Sequence, residues 1–261
     1  MSAPVELQTV AGYLDGYLRV REVPDEPGAV NGLQVENSGL VGGFVAAVDA
    51  SQATIDGVIE ACSRFAPPPL LLVHHGLFWD GNIPVTDRRY RRLAGLLRAD
   101  VPLYSAHIPL DVHGEVGNNA VLAASLGLTE CQPFDSYRGA ALGICGLAPG
   151  GLHRDRLVEL LDTSLGTVAR LIPGGPPIVR RVGIITGGAG SRIGAARDAG
   201  LDTFVTGEGA HQTYFDAMEF GVNVIYAGHY ATEQVGVKAL ALHLATRFNL
   251  PWEFHHHPTG L

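Results

Sequence analysis

The sequence predicts an α/β fold of two similar lobes, each with a mostly parallel sheet flanked by helices. Short apolar runs such as residues 70–73 leave no polar face, which is typical of strands covered on both sides. These runs alternate with amphipathic stretches, and the alternation is interrupted once, over residues 131–177, before it resumes. We therefore expect an N-terminal lobe over residues 1–130 and a C-terminal lobe over 131–261, with the last strand and helix free to pack back on the first lobe.

The N-terminal lobe opens with apolar residues at nearly helical spacing, which predict a helix over residues 5–19. A turn-rich stretch follows over 24–37. After a strand at 43–49, Ser51 is placed to cap a helix over 52–64, and three consecutive prolines end that helix. The remaining elements expected in this lobe are a strand at 70–73, a helix at 86–98, a strand at 101–106 and a helix at 117–126.

The C-terminal lobe begins with the less regular stretch, where we expect a strand at 140–145 and a helix at 153–163. Five consecutive Pro and Gly residues at 173–177 then interrupt regular structure. The alternation that follows predicts strands at 182–186, 203–206 and 222–227, and helices at 191–199, 211–220 and 231–246.

The composition excludes several classes of protein. Hydrophobic residues make up 46% and charged residues 17% of the 261 residues, so the chain is able to bury a core. A formal net charge of −8 argues against general nucleic-acid binding. Three widely spaced cysteines without a CxxC pair exclude a disulfide framework and a thiolate zinc site. The sequence has neither a basic leader nor an apolar run of membrane-spanning length, so we expect a cytoplasmic protein without a membrane partner.

Histidines and carboxylates gather where the predicted strands end. Ligands bind beyond the carboxyl ends of the strands in open α/β sheets, so polar side chains at these points predict a binding site. Both lobes contribute to the set. Its members are His74, His75, His107, Asp111, Glu208, His229 and Glu233.

Each of these motifs has a structural explanation as well as a chemical one. Adjacent side chains on an extended segment point to opposite sides, so His74 and His75 are expected to serve two neighbouring metal ions rather than one. The alternative for that pair is a hydrogen-bonded strand end. His229 and Glu233 lie four residues apart and share one face of a helix, as metal ligands or as a surface ion pair. Asp111 is either a ligand or a turn-forming residue.

The combination favours a metal site. Imidazole and carboxylate ligands without sulfur suit Zn, Mn, Fe, Ni or Co better than Ca or Mg. The five side chains of the three motifs just described (the His74-His75 pair, the His229–Glu233 pair and Asp111) are too many for one catalytic zinc ion, which takes about three protein groups. They suit two divalent ions that share a water molecule. The positive charge left at such a centre attracts an anion such as phosphate.

Four segments carry a further resemblance: Asn-Gly-Leu-Gln-Val at 31–35, His-His-Gly-Leu-Phe-Trp at 74–79, the stretch from His107 through Asn118-Asn119, and Ala-Gly-His-Tyr-Ala-Thr-Glu at 227–233. Together they resemble the Nif-three-like family of dinuclear metal-centre proteins, in its YbgI-like branch of GTP cyclohydrolase 1 type 2 homologues. The resemblance implies two divalent metal ions between the lobes and a ring-shaped homohexamer, a trimer of dimers. The metal ligands that it implies are His74, His75, Asp111, His229 and Glu233, with His107 as a less certain ligand or a residue that supports one.

Two functions fit this resemblance. The first is a metal-dependent hydrolase of the GTP cyclohydrolase type, in which activated water attacks C8 of a purine or, in a phosphoesterase, phosphorus. His107 or Glu208 is the candidate for moving the proton, and the substrate is a nucleotide or a related phosphorylated compound. The second is a metal-stabilised ring that acts as a scaffold or regulatory binding protein without turnover.

Three weaker signals remain. The glycine-rich residues 185–191 follow a strand and open a helix, which suits either an anion-binding nest or close backbone packing. The predicted helix at 86–98 is rich in arginines, including Arg88 and Arg92. These arginines form either a solvated or subunit-interface face or a basic rim that binds nucleotides or nucleic acid. His255-His256-His257 near the C-terminus is interpreted as native sequence on a solvated terminal strand.

Overall fold

The computed structural model describes residues 3–261, which form two compact units. The first unit comprises the residues through Leu110 together with Val237–His257, and the second comprises Asp111–Gly236 and Pro258–Leu261. The sequence predicts a division after residue 130. The chain divides instead after Leu110, and most of its last helix and its last strand belong to the first unit.

The regular elements alternate along most of the chain. The strands are β1 Val5–Glu6, β2 Gly32–Val35, β3 Leu40–Val41, β4 Phe44–Asp49, β5 Leu70–His75, β6 Leu103–Ser105, β7 Thr129–Tyr137, β8 Ala140–His153, β9 Arg170–Pro173, β10 Ile178–Ile184, β11 Thr203–Thr206, β12 Asn223–Tyr226 and β13 Trp252–Phe254. The α-helices are α1 Leu7–Tyr17, α2 Gln52–Ala61, α3 Asp87–Arg98, α4 Ile108–Asp111, α5 Asn118–Ser125, α6 Arg154–Leu165, α7 Ile193–Asp198, α8 Thr213–Phe220 and α9 His229–Phe248.

The first unit contains a five-stranded sheet in the order β13-β4-β5-β6-β2, parallel except for β2. Helices α2 and α3 cover one face of this sheet, where Ile55 and Leu96 pack with Val45 and Leu71 in a buried cluster. Ser51 caps α2 as predicted, because its Oγ accepts a hydrogen bond from the Thr54 amide at 3.1 Å. The parallel arrangement brings the carboxyl ends of β4, β5 and β6 to one edge.

The second unit contains a six-stranded mixed sheet in the order β7-β8-β10-β11-β12-β9. Its three central strands, β10 to β12, are parallel as expected, whereas β7, β8 and β9 pair antiparallel. A two-residue turn joins β7 to β8, with Arg138 and Gly139 both at positive φ, which suits a tight hairpin. The additions to the expected sheet therefore come mainly from the irregular stretch of the sequence.

The predicted helices are present within a few residues of their expected bounds, and the turn-rich stretch 24–37 also contains β2. Sequence periodicity missed β2 and β7 because neither has the continuous apolar pattern of a central strand; Phe134 is the buried residue of β7. No helix among residues 3–261 is both long enough and apolar enough to cross a membrane.

Candidate metal centre

Three histidines of the first unit meet at the carboxyl edge of its sheet. His74 and His75 are the last two residues of β5, and His107 follows the end of β6 by two residues. Each offers one ring nitrogen, and these three atoms all lie within 4.8 Å of one another. The ring of His74 is centred 4.8 Å from that of His75 and 4.9 Å from that of His107. We refer to these three residues as the histidine cluster.

The rings of His74 and His75 do not diverge as the geometry of an extended strand predicts. Hydrogen bonds at the end of the strand turn both of them. His74 Nδ1 lies 2.9 Å from the carbonyl oxygen of Ala106, on the neighbouring strand end. His75 Nδ1 lies 2.8 Å from Oδ1 of Asp49, its register partner at the end of β4. The strand ends on both sides of β5 therefore bring the adjacent imidazoles into one cluster.

All three imidazoles are oriented in the same way. In His107, as in the other two, Nδ1 faces an oxygen acceptor, here Oδ1 of Asp25 at 2.8 Å. An oxygen acceptor at Nδ1 places the ring proton there and leaves the lone pair on Nε2. Metal-binding histidines are commonly held by such carbonyl and carboxylate partners. Sequence reasoning missed Asp25 and Asp49, because neither lies near its histidine in the chain.

Asp25 organises the loop around His107. Its Oδ1 accepts from the Glu26 amide, and its Oδ2 accepts from Asn31 Nδ2 at 2.8 Å and from the Ile108 amide at 2.9 Å. Asn31 Oδ1 in turn accepts from the His107 amide at 2.8 Å. Burial raises the pKa of Asp25, but the hydrogen bonds from His107 and Asn31 outweigh it and leave that pKa below its ordinary value. Asp25 is therefore a carboxylate that fixes both the backbone and the ring of His107.

In the second unit His229 lies between two carboxylates. Its Nε2 is 3.1 Å from Oε1 of Glu233, one helical turn along α9, and its Nδ1 is 2.7 Å from Oε1 of Glu208. Burial lowers the pKa of His229, but both carboxylates outweigh this effect and raise it to about 9. Glu233 is buried, at 3% exposure, whereas the side chain of Glu208 is half exposed. Without a metal, a proton on His229 neutralises part of this charge, and a divalent cation is able to take over that role.

Asp111 lies in the same unit and is also buried. Its Oδ1 accepts hydrogen bonds from Asn118 Nδ2 at 2.8 Å and Thr186 Oγ1 at 3.1 Å. The residue after Thr186 is Gly187, whose φ is +70° and where a side chain would overlap Oε1 of Glu233. Thr186 and Gly187 therefore connect Asp111 to the His229–Glu233 pair. The glycine-rich stretch was expected either to bind an anion or to allow close backbone packing. Gly187 fits close packing, because a carboxylate already lies against it.

The terminal histidines lie elsewhere in the first unit. His255 follows β13, its side chain is largely buried, and its Nε2 lies 3.0 Å from Oε1 of Glu253. A side chain at Gly57 would overlap the His255 ring. The start of this histidine run is therefore packed against α2 rather than solvated as expected.

The donor atoms described above fit a first-row divalent metal. They are imidazole nitrogens and carboxylate oxygens, and each imidazole of the histidine cluster has its Nδ1 next to an oxygen acceptor, as is common in metal-binding histidines. Within residues 3–261, none of the three cysteines belongs to a candidate set of metal ligands.

Comparison with known proteins identifies the family of this chain. A family profile described as Duf34/NIF3 (NGG1p interacting factor 3) matches residues 5–259. The chain belongs to the Duf34/NIF3 family. The family resemblance inferred from four sequence segments is thereby confirmed.

Relatives within the Duf34/NIF3 family match over nearly their full length. A protein of Deinococcus radiodurans named GTP cyclohydrolase 1 type 2 homolog is 41% identical over 249 residues, which cover 95% of this chain and 92% of the relative. A crystal structure of a Thermus thermophilus protein is 40% identical, with a TM-score of 0.85 and coverage of 98% and 100%. The structure of protein ybgI, described as being of unknown function, is 34% identical, with a TM-score of 0.89 and the same coverage.

Proposed function

We propose that this Duf34/NIF3 protein is a dinuclear metal-dependent hydrolase that acts on a nucleotide or a related phosphorylated compound. The observation that carries the proposal is the histidine cluster, in which three imidazoles present nitrogens within 4.8 Å and each Nδ1 is held by an oxygen acceptor. Such a cluster is costly to build for stability alone, because one buried and two half-buried imidazoles gain little from one another. Three imidazole nitrogens at this spacing suit a divalent cation.

We assign the ligands of the two ions to His74 and His75 of the first unit and to Asp111, His229 and Glu233 of the second. Support comes from the buried Glu233 carboxylate, from its direct contact with His229, and from the hydrogen bonds that fix Asp111. Zn, Mn, Fe, Ni and Co all accept this donor set. Two such ions supply an activated water and polarise the group that the water attacks.

We assign His107 and Glu208 to proton transfer. His107 donates its Nδ1 proton to the buried Asp25, so Nε2 is the nitrogen that takes up or releases a proton, as in a catalytic His–Asp pair. Glu208 is half exposed and bound to His229, which lets it exchange protons with solvent. The placement of His107 inside the histidine cluster leaves direct metal binding as the alternative role for this residue.

A nucleotide substrate is supported by the relatives' name, GTP cyclohydrolase 1 type 2 homolog, which describes those proteins as homologues of an enzyme that acts on GTP. The test is a turnover screen of nucleotides and phosphoesters against the Mn, Fe, Zn, Ni and Co forms, preceded by elemental analysis of protein purified anaerobically. We expect about two ions per chain and turnover with at least one substrate and metal.

Glu233→Gln and His107→Gln separate the proposed roles. Glu233→Gln is expected to lower metal content, and His107→Gln to keep both ions while turnover falls about a hundredfold or more. Loss of an ion in His107→Gln would make His107 a ligand instead. If the metal-loaded protein turns over no substrate and Glu233→Gln dissociates the assembly, the chain is a metal-stabilised scaffold and the hydrolase proposal fails.

We also propose the ring-shaped homohexamer that the family resemblance implies. Light scattering coupled to size exclusion tests it, because a hexamer has six times the chain mass of 27.6 kDa. A particle of any other multiple contradicts this assembly and leaves the metal assignment intact.

A further inference from the structure

Trp79 is exposed beside the histidine cluster. The residue is 39% exposed to solvent, which is uncommon for one with so large an apolar ring. The ring is centred 4.7 Å from that of His107 and 5.6 Å from that of His75, at nearly right angles to both. Gly28 supports it from behind, since a Cβ there would lie 3.3 Å from Trp79 Cα and 3.5 Å from Cε3. Trp79 is therefore held in place and still open to a ligand.

Two arginines of α3 are held near this tryptophan by ion pairs. Arg88 and Arg89 both form ion pairs with Asp80, the residue that follows Trp79. Arg89 is buried and also donates to the carbonyl oxygens of Gly81 and Ile83. Residues three and four apart share one face of a helix, so Arg92 lies on the same face as these two arginines.

Arg92 differs from Arg88 and Arg89 in making no direct ion pair with a carboxylate of residues 3–261. Among the residues that the structure describes, it forms no ion pair or hydrogen bond, and its Nε is buried. Burial and the nearby Arg88 and Arg91 lower the pKa of Arg92, against the opposing effect of Asp80 and Asp49. A partly buried guanidinium crowded by like charges gains most from binding an anion, and its planar donors suit phosphate.

We infer that Trp79 and Arg92 form a recognition subsite for a nucleoside phosphate, in which Trp79 stacks on the base and Arg92 binds the phosphate. This surface suits a small molecule that has both a flat ring, which stacks on Trp79, and an anionic group, which binds Arg92. Because Trp79 touches two histidines of the cluster, a stacked base lies next to the proposed reaction centre. The inference deepens the proposed function and rests on it for the identity of that centre.

The subsite is testable by binding alone. Trp79 and Trp252 are the two tryptophans of the chain, so in a Trp252→Phe background the indole fluorescence reports Trp79. We expect GMP and guanosine to quench this fluorescence in the zinc-loaded protein, whereas ribose 5-phosphate does not. Arg92→Gln is expected to weaken GMP binding about tenfold and to leave guanosine binding unchanged. Arg98→Gln, which removes the same charge near the end of the helix, is the matched control and is expected to leave GMP affinity within about twofold.

Calorimetric titrations of Trp79→Leu complete the test. We expect this variant to bind GMP about tenfold more weakly and ribose 5-phosphate unchanged; Trp79→Phe, which keeps a ring, is expected to retain most of the GMP affinity and guards against misfolding. Absence of GMP quenching at millimolar concentration, or equal losses in Arg92→Gln and Arg98→Gln, overturns the subsite. The same titrations on metal-free protein separate the two proposals, because GMP binding that persists there with this variant pattern supports the subsite even if no hydrolysis is found.

Discussion

Asp25→Asn and Asp49→Asn are expected to have very different effects, although each carboxylate holds the Nδ1 of one clustered histidine. Both oxygens of Asp25 accept two hydrogen bonds: Oδ1 from His107 and Glu26, and Oδ2 from Asn31 and Ile108. An asparagine amide placed either way points its NH2 group at two donors. Two hydrogen bonds to a charged acceptor, at about 1.5–3 kcal/mol each, are lost, so we expect Asp25→Asn to lower the free energy of unfolding by about 3–6 kcal/mol.

Asp49 is the matched control. Its Oδ1 accepts from His75, its side chain is one-third exposed, and an asparagine is able to offer its oxygen to the same ring nitrogen. Asp49→Asn therefore loses only the charge on the acceptor, and we expect a cost below about 1 kcal/mol. Zinc affinity follows the same order, with about a 10- to 100-fold loss in Asp25→Asn and less than about tenfold in Asp49→Asn.

Urea unfolding of the metal-free protein measures the first effect, and competition with a chromophoric chelator measures the second. Equal losses in the two variants would refute the reasoning, because they would mean that only the negative charge near the rings matters and that the geometry of the acceptors does not.

Three further predictions concern other parts of the chain. Gly187→Ala is expected to weaken zinc binding because its new side chain displaces Glu233. The control is Gly221→Ala, at the same φ of +70° but in open space, which should lose only about 1 kcal/mol of stability and keep its zinc affinity. Similar zinc affinities in the two variants would contradict the prediction. Folding raises the pKa of His229 from 6.5 to about 9, so protonated His229 contributes stability that is full below pH 6.5 and is lost as the pH rises through about 9. The urea midpoint of metal-free protein should therefore fall over that pH range, and it should fall less in His229→Gln. Ser51→Ala removes the cap of α2 and should cost about 1 kcal/mol by thermal unfolding with zinc affinity unchanged; a loss of zinc would link the cap to the site.

Much of the fold follows from local patterns in the sequence. Apolar runs located the central strands, and the cap at Ser51 gave the start of α2. The sequence pattern does not reveal β7, because most of its side chains are exposed and it therefore lacks an apolar run. The turn of its hairpin is also hard to recognise, since Arg138 rather than the usual Asn adopts positive φ there. The division after Leu110 depends on tertiary contacts that no local pattern carries.

The sequence predicts which histidines and carboxylates form the candidate site, and this assignment stays a prediction, but the sequence does not reveal the residues that hold the imidazole rings. Strand ends located the histidine cluster, and spacing of four residues placed His229 against Glu233. Asp25 lies 82 residues from His107, and Asp49 lies 26 residues from His75, so only the folded chain reveals these partners. The shared direction of the adjacent imidazoles was likewise set by neighbouring strand ends and not by the strand that carries them.

The hydrogen bonds at the three Nδ1 atoms have a consequence for metal selection. Imidazole rings that are oriented before a cation binds lose little further conformational entropy on binding. The entropy cost of ordering the site therefore falls on folding rather than on metal binding. A rigid nitrogen-and-oxygen pocket of this type discriminates weakly among first-row ions, and their supply then decides occupancy. For the proposed metal centre we therefore expect the recovered ion to reflect the growth medium, and cells starved of one element to fill the same pocket with another.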